Sequence, residues 1–521
     1  MMKNGGFLMF RIFGPPGTGK TTTLLNMVEK QMEDGILPSQ IAFLAFTRKA
    51  AKEARERASK RFKLNMDKDL FYFKTLHSFA FAMSDIQSTQ LMKNDHMDEL
   101  STIIKFNLRG SQNGSFGDTP TVSENPIMRI IQLSRLLREP LENTYRRVSF
   151  SADFTPFIEV DYIAKCYRKY KKQRYLFDYT DILERFVEKE GSFCPNFKVC
   201  YIDEAQDLSP LQWEMIEFIN KRSDKMYLAG DDDQAIYRWA GASVESFISM
   251  QGVSDHLLRS YRVPKSVHRV ADRIVRRIKN RRSKLYTPKE GSAGLVKRVS
   301  APSSVDMSEG EWLVLAQCNY MLISIADMLR SQGLLFELHG KRSISDKITT
   351  AVRAWETLRN GKQIDLQSVK TMYTYMRANT RVKRGFKKIT ATTENPLYSI
   401  EDLQQNHGLL ANVGMIWHVA LDGLPETESA YLTAMLRRKE KITSEPRIKV
   451  STIHGAKGGE ADNILLLTDI SPTADNSRLA GDEHAQQLDD DLHRLFYVAV
   501  TRTKENLYLV DPDDQLRSYS I

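Results

Sequence analysis

Residues 14–21 constrain most strongly what this chain can fold into. They read GPPGTGKT and lie between a short apolar run, Phe7–Phe13, and a segment with helical periodicity, Thr22–Lys30. The spacing G-x-x-x-x-G-K-[ST] between a strand and a helix is typical of a phosphate-binding loop, in which backbone N–H groups surround an anion at the helix N-terminus. A glycine-rich turn that matches by chance is the alternative, and the strand–helix context argues against it. The sequence therefore predicts a domain that binds a nucleoside triphosphate, with Lys20 at the β/γ-phosphates and Thr21 as a ligand of Mg²⁺.

Composition and charge narrow the class of protein. A chain of 521 residues is too long for one ordinary core, so we expect two to four domains. No run approaches the roughly 18 apolar residues of a membrane span, and the N-terminus lacks the pattern of a signal peptide, so we expect a cytoplasmic protein of a bacterial or phage-infected cell, or one associated with the nucleoid. The four cysteines form no C-x-x-C pair, which favours reduced thiols. The formal net charge of +10 favours a polyanionic partner, although many basic proteins bind no nucleic acid.

Two later strand ends carry side chains that suit triphosphate hydrolysis. One apolar run ends in Asp203, a predicted ligand of Mg²⁺, and Glu204, which is able to orient or deprotonate the attacking water. An acidic pair at a strand end is usually a turn, but the phosphate loop earlier in the chain favours the functional interpretation. A second run, Met226–Gly230, leads to Gln234, which we expect near the γ-phosphate. Arg502 ends a late helical segment and offers a planar guanidinium for transition-state phosphate charge, although considered alone it would more often be a surface arginine.

Aromatic and basic side chains near these strand ends suit single-stranded nucleic acid. Phe46 lies at the exit of the strand candidate Ile41–Thr47, and Trp239 follows Gln234 closely. A tryptophan at that point is either part of the core or a platform for a base beside the phosphate sensor. The segment Cys166–Tyr175 alternates basic residues with tyrosines, which fits single-stranded nucleic acid and fits a surface helix about equally well.

The strand pattern of an α/β core is interrupted by two basic, strand-poor stretches, which we interpret as insertions. A second α/β unit begins after Gln251, with a predicted helix over Lys265–Lys284 and a predicted strand-to-helix turn at Ser451–Glu460. Its strand candidates are Gly294–Val299, Trp312–Ala316, Val450–Ile453, Asn463–Leu467 and Asn506–Val510. The predicted divisions are a first core domain at 1–82 and 175–252 with an insertion at 83–174, and a second core domain at 253–340 and 447–521 with an insertion at 341–446.

Eight segments, taken in their order along the chain, resemble the motifs of superfamily 1 DNA helicases of the UvrD/Rep/PcrA group. They are GPPGTGKT, AFTRKAAKEARER, TLHSFA, YIDEAQD, GDDDQAIYRWAGA, SYR, STIHGAKGGE and FYVAVTRTK. Such a series is far more specific than any one motif, and it covers nearly the whole chain. The resemblance implies an α/β fold of two RecA-like P-loop domains with parallel sheets, each carrying a mainly helical insertion, with ATP and Mg²⁺ in the cleft between them.

The same resemblance implies roles for individual residues. Tyr261 would stack on the adenine, Glu460 would contact the ribose, and Arg262 and Arg502 would reach the γ-phosphate sensed by Gln234. The full set implied to bind the nucleotide is Gly14, Pro15, Pro16, Gly17, Thr18, Gly19, Lys20, Thr21, Thr22, Tyr261 and Glu460. The set implied to contact DNA is Phe46, Thr47, Arg48, His77, Tyr237, Trp239 and His454.

The activity implied is ATP-dependent, 3′→5′ movement along single-stranded DNA with strand separation at single/double-strand junctions, in replication, repair or recombination. Two alternatives stay open: a DNA-stimulated ATPase that displaces proteins or regulates recombination without unwinding, and the motor part of a helicase–nuclease. We expect a monomer or weak dimer that works with replication or repair proteins. The family's adenine-reading glutamine, upstream of the loop, has no counterpart among Met1–Arg11, so the sequence does not indicate how strictly ATP is preferred.

Overall fold

The described part of the chain comprises, in a computed structural model, residues 8–108, 123, 125–148, 155–250, 252–389, 397–472, 474–475 and 483–521. Residues 1–7, which include the start of the first predicted strand and much of the stretch without glutamine, lie outside it, as does Gln251. The fold is mixed α/β and is built around two sheets of mainly parallel strands, as the sequence predicts. Among these residues, no helix is both long and apolar enough to cross a membrane.

The first sheet contains, within the described residues, six parallel strands in the order β3-β2-β4-β5-β1-β6. They are β1 Leu8–Phe13, β2 Ile41–Ala45, β3 Phe73–Thr75, β4 Phe197–Asp203, β5 Ser223–Gly230 and β6 Val253–His256. All five residues of β2 are buried, which is typical of a parallel strand covered by helices on both faces. Burial therefore explains why this strand reads as an uninterrupted apolar run.

Ten α-helices precede β6 in the described residues. They are α1 Lys20–Glu33, α2 Arg48–Phe62, α3 Leu76–Ala82, α4 Asn94–Ile104, α5 Pro126–Leu136, α6 Leu141–Val148, α7 Phe157–Arg174, α8 Tyr179–Glu188, α9 Pro210–Asn220 and α10 Val244–Ser249. Helices α4, α5 and α7 share an apolar cluster of their own, which includes Leu100, Ile131 and Val160. This separate cluster is consistent with the insertion predicted at 83–174, whose boundaries stay a prediction.

The second sheet contains, among the described residues, seven strands in the order β10-β9-β13-β8-β14-β15-β7, parallel except for the pair β9–β10. Its strands are β7 Leu295–Val299, β8 Trp312–Ala316, β9 Phe336–Leu338, β10 Lys341–Arg342, β13 Ile448–Thr452, β14 Ala461–Leu467 and β15 Thr503–Val510. Two short strands, β11 Ile364–Asp365 and β12 Leu397–Tyr398, pair separately. Strands of two residues are too short to produce the alternation that sequence reading detects, which explains why 341–446 reads as strand-free.

Eight α-helices accompany this second part of the described chain. They are α11 Lys265–Val275, α12 Ile323–Ser331, α13 Asp346–Arg359, α14 Leu366–Thr374, α15 Ile400–Asn406, α16 Trp417–Ala420, α17 Glu426–Arg437 and α18 Glu483–Val500. Helices α13 to α17 contribute buried apolar residues to the same cluster as one face of the second sheet. The strand-poor stretch is thus packed on the second sheet.

The helix predicted over Lys265–Lys284 is wrong beyond Val275, where α11 ends. Backbone N–H groups of the following segment bond to carboxylates elsewhere in the fold: Lys279 and Asn280 donate to Asp490, each at 2.9 Å. Because these donors are taken by tertiary contacts, the chain leaves the helix even though its sequence could continue one.

The strand-to-helix turn predicted at Ser451–Glu460 is also wrong in part. Strand β13 leads through consecutive turns directly into strand β14, without an intervening α-helix. Gly458 has φ +81°, a left-handed backbone conformation that interrupts helical geometry and that glycine adopts readily. The segment is therefore a tight loop between two sheet strands.

Candidate active site

The carboxyl ends of three neighbouring strands, in the order β4-β5-β1, meet at one edge of the first sheet. Ligands of open parallel sheets bind at this edge because the loops that follow the strands converge there. Those loops carry the phosphate-loop sequence after β1, the acidic pair Asp203 and Glu204 at the end of β4, and Gln234 after β5. The fold thus brings together groups that the sequence separates by about two hundred residues.

The loop after β1 has the conformation of an anion-binding loop. Gly17 and Gly19 both adopt left-handed backbone angles, φ +71° and φ +81°, which open the turn before helix α1 begins at Lys20. The Lys20 ammonium donates to the carbonyl of Gly14 at 2.8 Å, and the Thr18 hydroxyl donates to the carbonyl of Pro15 at 2.8 Å. Lys20 therefore lies over the loop, where a bound phosphate would replace the carbonyl as its partner.

The acidic pair touches the loop directly. The Thr21 hydroxyl donates to Asp203 Oδ2 at 2.6 Å, and the Glu204 N–H donates to Asp203 Oδ1 at 3.0 Å. Burial, reinforced by the charge of Glu204, raises the pKa of Asp203 to about 6. Burial opposes ionisation of Glu204 too, but Lys20 and Lys457 outweigh it and lower its pKa to about 2. The pair therefore carries negative charge at neutral pH next to a hydroxyl oxygen.

These oxygens fit a magnesium ion. Mg²⁺ prefers hard oxygen ligands and keeps several waters and phosphate oxygens, so one hydroxyl and one carboxylate suffice from the protein. No group of three or more histidine, cysteine, aspartate or glutamate side chains that could hold a metal by themselves occurs among the described residues. The donor set thus suits a metal that arrives with the nucleotide, with Thr21 and Asp203 as its protein ligands.

Two arginines from the second sheet's side reach this edge. Arg502 follows helix α18 and donates from Nη2 to Gln234 Oε1 at 2.9 Å, across the boundary between the two α/β units. Arg502 is 3% exposed, and burial lowers the pKa of its guanidinium to about 9. A buried cation whose ionisation is disfavoured gains stability when an anion binds beside it. This arrangement suits a negatively charged ligand at the junction.

The segment Ser260–Arg262 lies directly against the phosphate loop. The Ser260 hydroxyl donates to the carbonyl of Pro16 at 2.8 Å, and the Tyr261 N–H donates to the carbonyl of Gly17 at 2.8 Å. The Arg262 side chain pairs with Glu460 rather than with a group of the phosphate loop, and its Nε lies 2.5 Å from Glu460 Oε2. Sequence reading did not identify Ser260, although it begins the quoted SYR segment.

Tyr261 and Glu460 have different surroundings. Tyr261 is 66% exposed, with the Arg259 guanidinium 5.6 Å from the centre of its ring, so much of the ring is accessible to a planar ligand. Glu460 contacts Arg262 and, at 3.3 Å, Lys504. Burial opposes its ionisation, but these two cations lower its pKa. The predicted contact of Glu460 with a ribose stays a prediction, since in the structure this carboxylate orients two cations.

Lys457 and Asp207 join the site although sequence reading assigned neither. Lys457 forms an ion pair with Asp207 and donates to the carbonyl of Gln234 at 2.9 Å, so the loop after β13 is tied to the first sheet. Burial raises the pKa of Asp207 to about 7. Gln206 donates to Glu204 and accepts from the Asp231 N–H at 3.0 Å. The signal was present in the quoted motifs YIDEAQD and STIHGAKGGE, but residue type does not indicate which side chains meet.

The predicted DNA-contacting aromatics form one group beside the Gln234 loop. The Tyr237 ring lies 5.4 Å from Phe46 and 6.3 Å from Trp239, and Trp239 meets His454 edge-on at 5.8 Å. Tyr237 also donates from its hydroxyl to the His454 carbonyl at 3.2 Å. A cavity of about 690 Å³ opens next to this group and is lined by residues of both units, including Thr47, Tyr237 and His454. Burial lowers the pKa of His454 to about 4, so its ring is neutral at pH 7.

The remaining predicted DNA contacts lie on the helices that follow β2 and β3. Thr47 caps helix α2, because its hydroxyl accepts from the Ala50 N–H at 3.1 Å, and Arg48 is exposed at the start of that helix. His77 is buried on helix α3, and burial lowers its pKa to about 4. Thr22 is exposed on the first turn of helix α1.

Part of the basic, tyrosine-rich segment Cys166–Tyr175 is buried, and only the rest of it is open to a nucleic acid. Tyr167, Tyr170 and Lys171 are buried on helix α7. Lys171 bonds to Asp178 and Asp181, each at 2.5 Å. Because this lysine is buried and paired with carboxylates inside the protein, it is unavailable to phosphates.

Comparison with known proteins places the chain among helicases. The model of the UvrD/REP helicase N-terminal domain matches residues 9–253, and that of the UvrD-like helicase C-terminal domain matches residues 448–510, together more than half of the chain. A probable DNA helicase II homolog of Mycoplasma pneumoniae is 22% identical, with 96% of this chain and 81% of that protein covered. The ATP-dependent DNA helicase PcrA of Bacillus subtilis is 26% identical over 63% of this chain and 43% of its own length.

Among solved structures, the arterivirus nonstructural protein 10 helicase aligns with a TM-score of 0.33 and 12% identity, over 98% of this chain and 61% of the viral protein. The two family models match the parts of the chain that carry the phosphate loop, the acidic pair, strands β1 to β5 of the first sheet and strands β13 to β15 of the second. The chain belongs to the UvrD/Rep/PcrA-type superfamily 1 helicases.

Proposed function

We propose that this protein couples ATP hydrolysis to 3′→5′ movement along single-stranded DNA and to strand separation at single/double-strand junctions. One observation carries the proposal. Gln234 Oε1 accepts from Arg502 at 2.9 Å, and the same short loop continues into Tyr237 and Trp239. Gln234, at the sheet edge where the nucleotide is expected, is thus only a few residues along the chain from rings that suit base stacking.

The residues of the chain divide the chemistry between them. Lys20, Arg262 and Arg502 supply positive charge where the γ-phosphoryl group develops charge in the transition state. Glu204, with its lowered pKa, stays ionised and accepts a hydrogen bond from the attacking water, which it orients. Thr21 and Asp203 would hold Mg²⁺, which neutralises phosphate charge when it is bound.

The proposed movement along DNA depends on the two α/β units contributing different groups to the nucleotide site. The loop after β1 belongs to the first sheet, whereas Arg262, Lys457 and Arg502 come from the chain that builds the second sheet. ATP between them favours a closed cleft, and hydrolysis favours an open one. The aromatic group beside Gln234 then alternately holds and releases stacked bases. The 3′→5′ direction rests on the family resemblance.

The proposal predicts an ATPase that depends on DNA. Hydrolysis by the purified chain should rise strongly when single-stranded DNA is added, and Lys20→Ala should abolish it. Lys30→Ala is the matched control, since Lys30 is exposed on the last turn of the same helix. Hydrolysis that is indifferent to DNA would contradict the proposal.

Direction and unwinding need a separate experiment. Partial duplexes with either a 3′ or a 5′ single-stranded tail are incubated with ATP, and strand release is measured beside displacement of a protein bound to the duplex. We expect release from the 3′-tailed substrate. Release from the 5′-tailed substrate alone would overturn the direction, and protein displacement without strand release would favour the regulatory ATPase.

We further propose replication, repair or recombination as the setting, and a monomer or weak dimer as the working form.

A further inference from the structure

Three consecutive buried carboxylates, Asp231 to Asp233, face a buried lysine side chain and a partly buried arginine from a distant segment. The Lys284 ammonium lies 3.1 Å from Asp231 and 2.9 Å from Asp233, and it also bonds to Asp232. Arg281 makes a bidentate pair with Asp233, at 2.8 and 2.7 Å. The three aspartates are at most 1% exposed. These five charges form a buried ion cluster next to the Gln234 loop.

Stability alone does not account for such a cluster. Replacing buried ion pairs by well-packed apolar residues is often neutral or stabilising, because desolvation of the charges offsets much of their attraction. Here burial lowers the pKa of Lys284, but the three carboxylates outweigh it and hold that pKa above its ordinary value, so the lysine is charged at pH 7.

Asp231 connects the cluster to the phosphate sensor. Its Oδ1 contacts Lys284, and its Oδ2 accepts from the Gln234 side-chain amide at 2.6 Å. An ionised carboxylate accepts hydrogen bonds and donates none, so it binds the NH₂ end of the amide and turns the carbonyl end the other way. That carbonyl oxygen is the atom that accepts from Arg502 at 2.9 Å. The charge on Asp231 thus fixes which end of Gln234 faces the arginine.

The segment that carries Lys284 is tied to the helix that leads to Arg502. On helix α18, Arg494 donates to the carbonyl of Asp232 at 3.0 Å and to the carbonyl of Asn280 at 2.5 Å. Asp490, on the same helix, accepts from the N–H groups of Lys279 and Asn280. Helix α18 therefore contacts the aspartate loop through its middle turns, and Arg502, whose guanidinium meets Gln234, follows its C-terminal end.

We propose that Lys284 is a positioning residue that holds the Asp231 carboxylate in place, so that Gln234 presents its carbonyl oxygen to Arg502. Through these contacts, Lys284 sets the rate at which the DNA-bound protein hydrolyses ATP. The inference rests on the proposed function, in which Gln234 and Arg502 act at the γ-phosphate. It adds a residue that touches neither nucleotide nor DNA.

The first test removes the charge and keeps the length of the side chain. Lys284→Met should lower kcat at saturating single-stranded DNA by about tenfold to a hundredfold, with the KM for ATP and the Kd for the oligonucleotide changed by less than about threefold. Lys284→Arg should restore part of the lost kcat, since it keeps the charge. Lys198→Met is the control, because Lys198 forms an exposed pair with Asp224 at 2.9 Å at the other end of the same sheet.

The second test separates positioning from charge balance, and it applies even if Lys284→Met folds poorly. In the double variant Lys284→Met/Asp231→Asn, the buried charge is removed on both sides, so the protein should regain thermal stability. Its kcat should stay low, because an asparagine amide can donate as well as accept and no longer fixes the orientation of Gln234. Recovery of kcat together with stability would overturn the inference, as would a simultaneous loss of ATP and DNA binding in Lys284→Met and Lys284→Arg alike.

Gln234→Ala distinguishes the two proposals. If this variant keeps DNA-stimulated hydrolysis, the role proposed for Gln234 fails, and the inference about Lys284 fails with it. If it loses DNA stimulation while Lys284→Met behaves as the unmodified protein does, only the inference about Lys284 is overturned.

Discussion

Replacement of Gly17 by alanine tests whether the contact between the phosphate loop and the segment Ser260–Arg262 matters for nucleotide binding. Gly17 has φ +71°, and a Cβ added there would lie 2.5 Å from the Cβ of Arg262 and 2.8 Å from the hydroxyl of Ser260. Ordinary contact begins at 3.4 Å, so the segment would have to retreat by about 0.9 Å. Its hydrogen bonds to the carbonyls of Pro16 and Gly17 would be strained by that shift.

The size of the effect follows from two contributions. A left-handed backbone costs an L-residue about 1–2 kcal/mol, and overpacking against neighbours that are held in place costs about 1–3 kcal/mol more. The first contribution lowers the stability of the fold. The second disturbs the fit of the two units at the nucleotide and therefore weakens ATP binding. At about 1.4 kcal/mol per tenfold change, the second should raise the KM for ATP by about 5- to 150-fold.

Gly35 provides a matched control for the backbone cost. It has φ +88°, and an added Cβ would meet nothing within 4 Å. Gly35→Ala should therefore lower the thermal midpoint about as much as the backbone part of Gly17→Ala does, without changing the KM for ATP. The assay is steady-state hydrolysis at saturating single-stranded DNA, beside thermal unfolding of both variants.

Two results would refute this reasoning. If Gly17→Ala and Gly35→Ala have the same KM for ATP, the approach of Arg262 to the loop is irrelevant to nucleotide binding. If Gly17→Ala lowers the KM, closer contact of the segment opposes binding, and the closed cleft proposed above is wrong.

Three further predictions test other parts of the site. Trp239→Ala should weaken single-stranded DNA binding by about 1–3 kcal/mol, as expected for the loss of one base stack, and Trp239→Phe should weaken it less. Fluorescence anisotropy measures both affinities. Equal affinity of the two variants and the unmodified protein would contradict a stacking role. Arg502→Lys keeps the charge but loses the planar fork that also contacts Gln234, so kcat should fall by about 10³-fold or more with little change in the KM for ATP, and a fall below tenfold would refute the role. Because His77 has its pKa lowered from 6.5 to about 4, the unfolded chain binds its proton first as pH falls, and folding should lose about 3 kcal/mol between pH 6.5 and pH 4 from this group. In denaturation experiments His77→Leu should show a shallower loss of stability over that interval, and an unchanged slope would contradict the shift.

Local signals were sufficient for the inner strands of the first sheet, but not for its edge strands β3 and β6, which were not predicted; β6 even lies in the stretch assigned to the second unit. Strand β1, strand β2 and strand β4 are short apolar runs, and each is followed by residues that the chemistry requires at a strand end. These runs are buried on both faces, so hydrophobic content alone locates them within a residue or two. The phosphate-loop spacing then fixed the identity of the ligand class.

Local signals failed where distant groups decide the backbone. The helix predicted to reach Lys284 stops at Val275 because Asp490 and Asp232 take the N–H groups of the segment beyond it, at 2.7 to 2.9 Å. Periodicity describes how a segment would pack if it were helical, and it carries no information about acceptors that lie two hundred residues away. For the same reason Lys171, which the sequence leaves open as a DNA contact, is bound to carboxylates inside the fold.

The sequence by itself determined that the chain binds a triphosphate, that its fold is α/β with parallel sheets, and which motif residues to examine. These follow from short-range spacing, because a phosphate loop and the strand before it are contiguous in the chain. Only the tertiary structure decided that Arg502 meets Gln234, that Ser260 and Tyr261 hold the loop, and that Lys284 lies among three aspartates. The physical reason is that parallel sheets order their strands differently in space from their order along the chain, so the partners at their carboxyl ends are set by crossovers that no local pattern records.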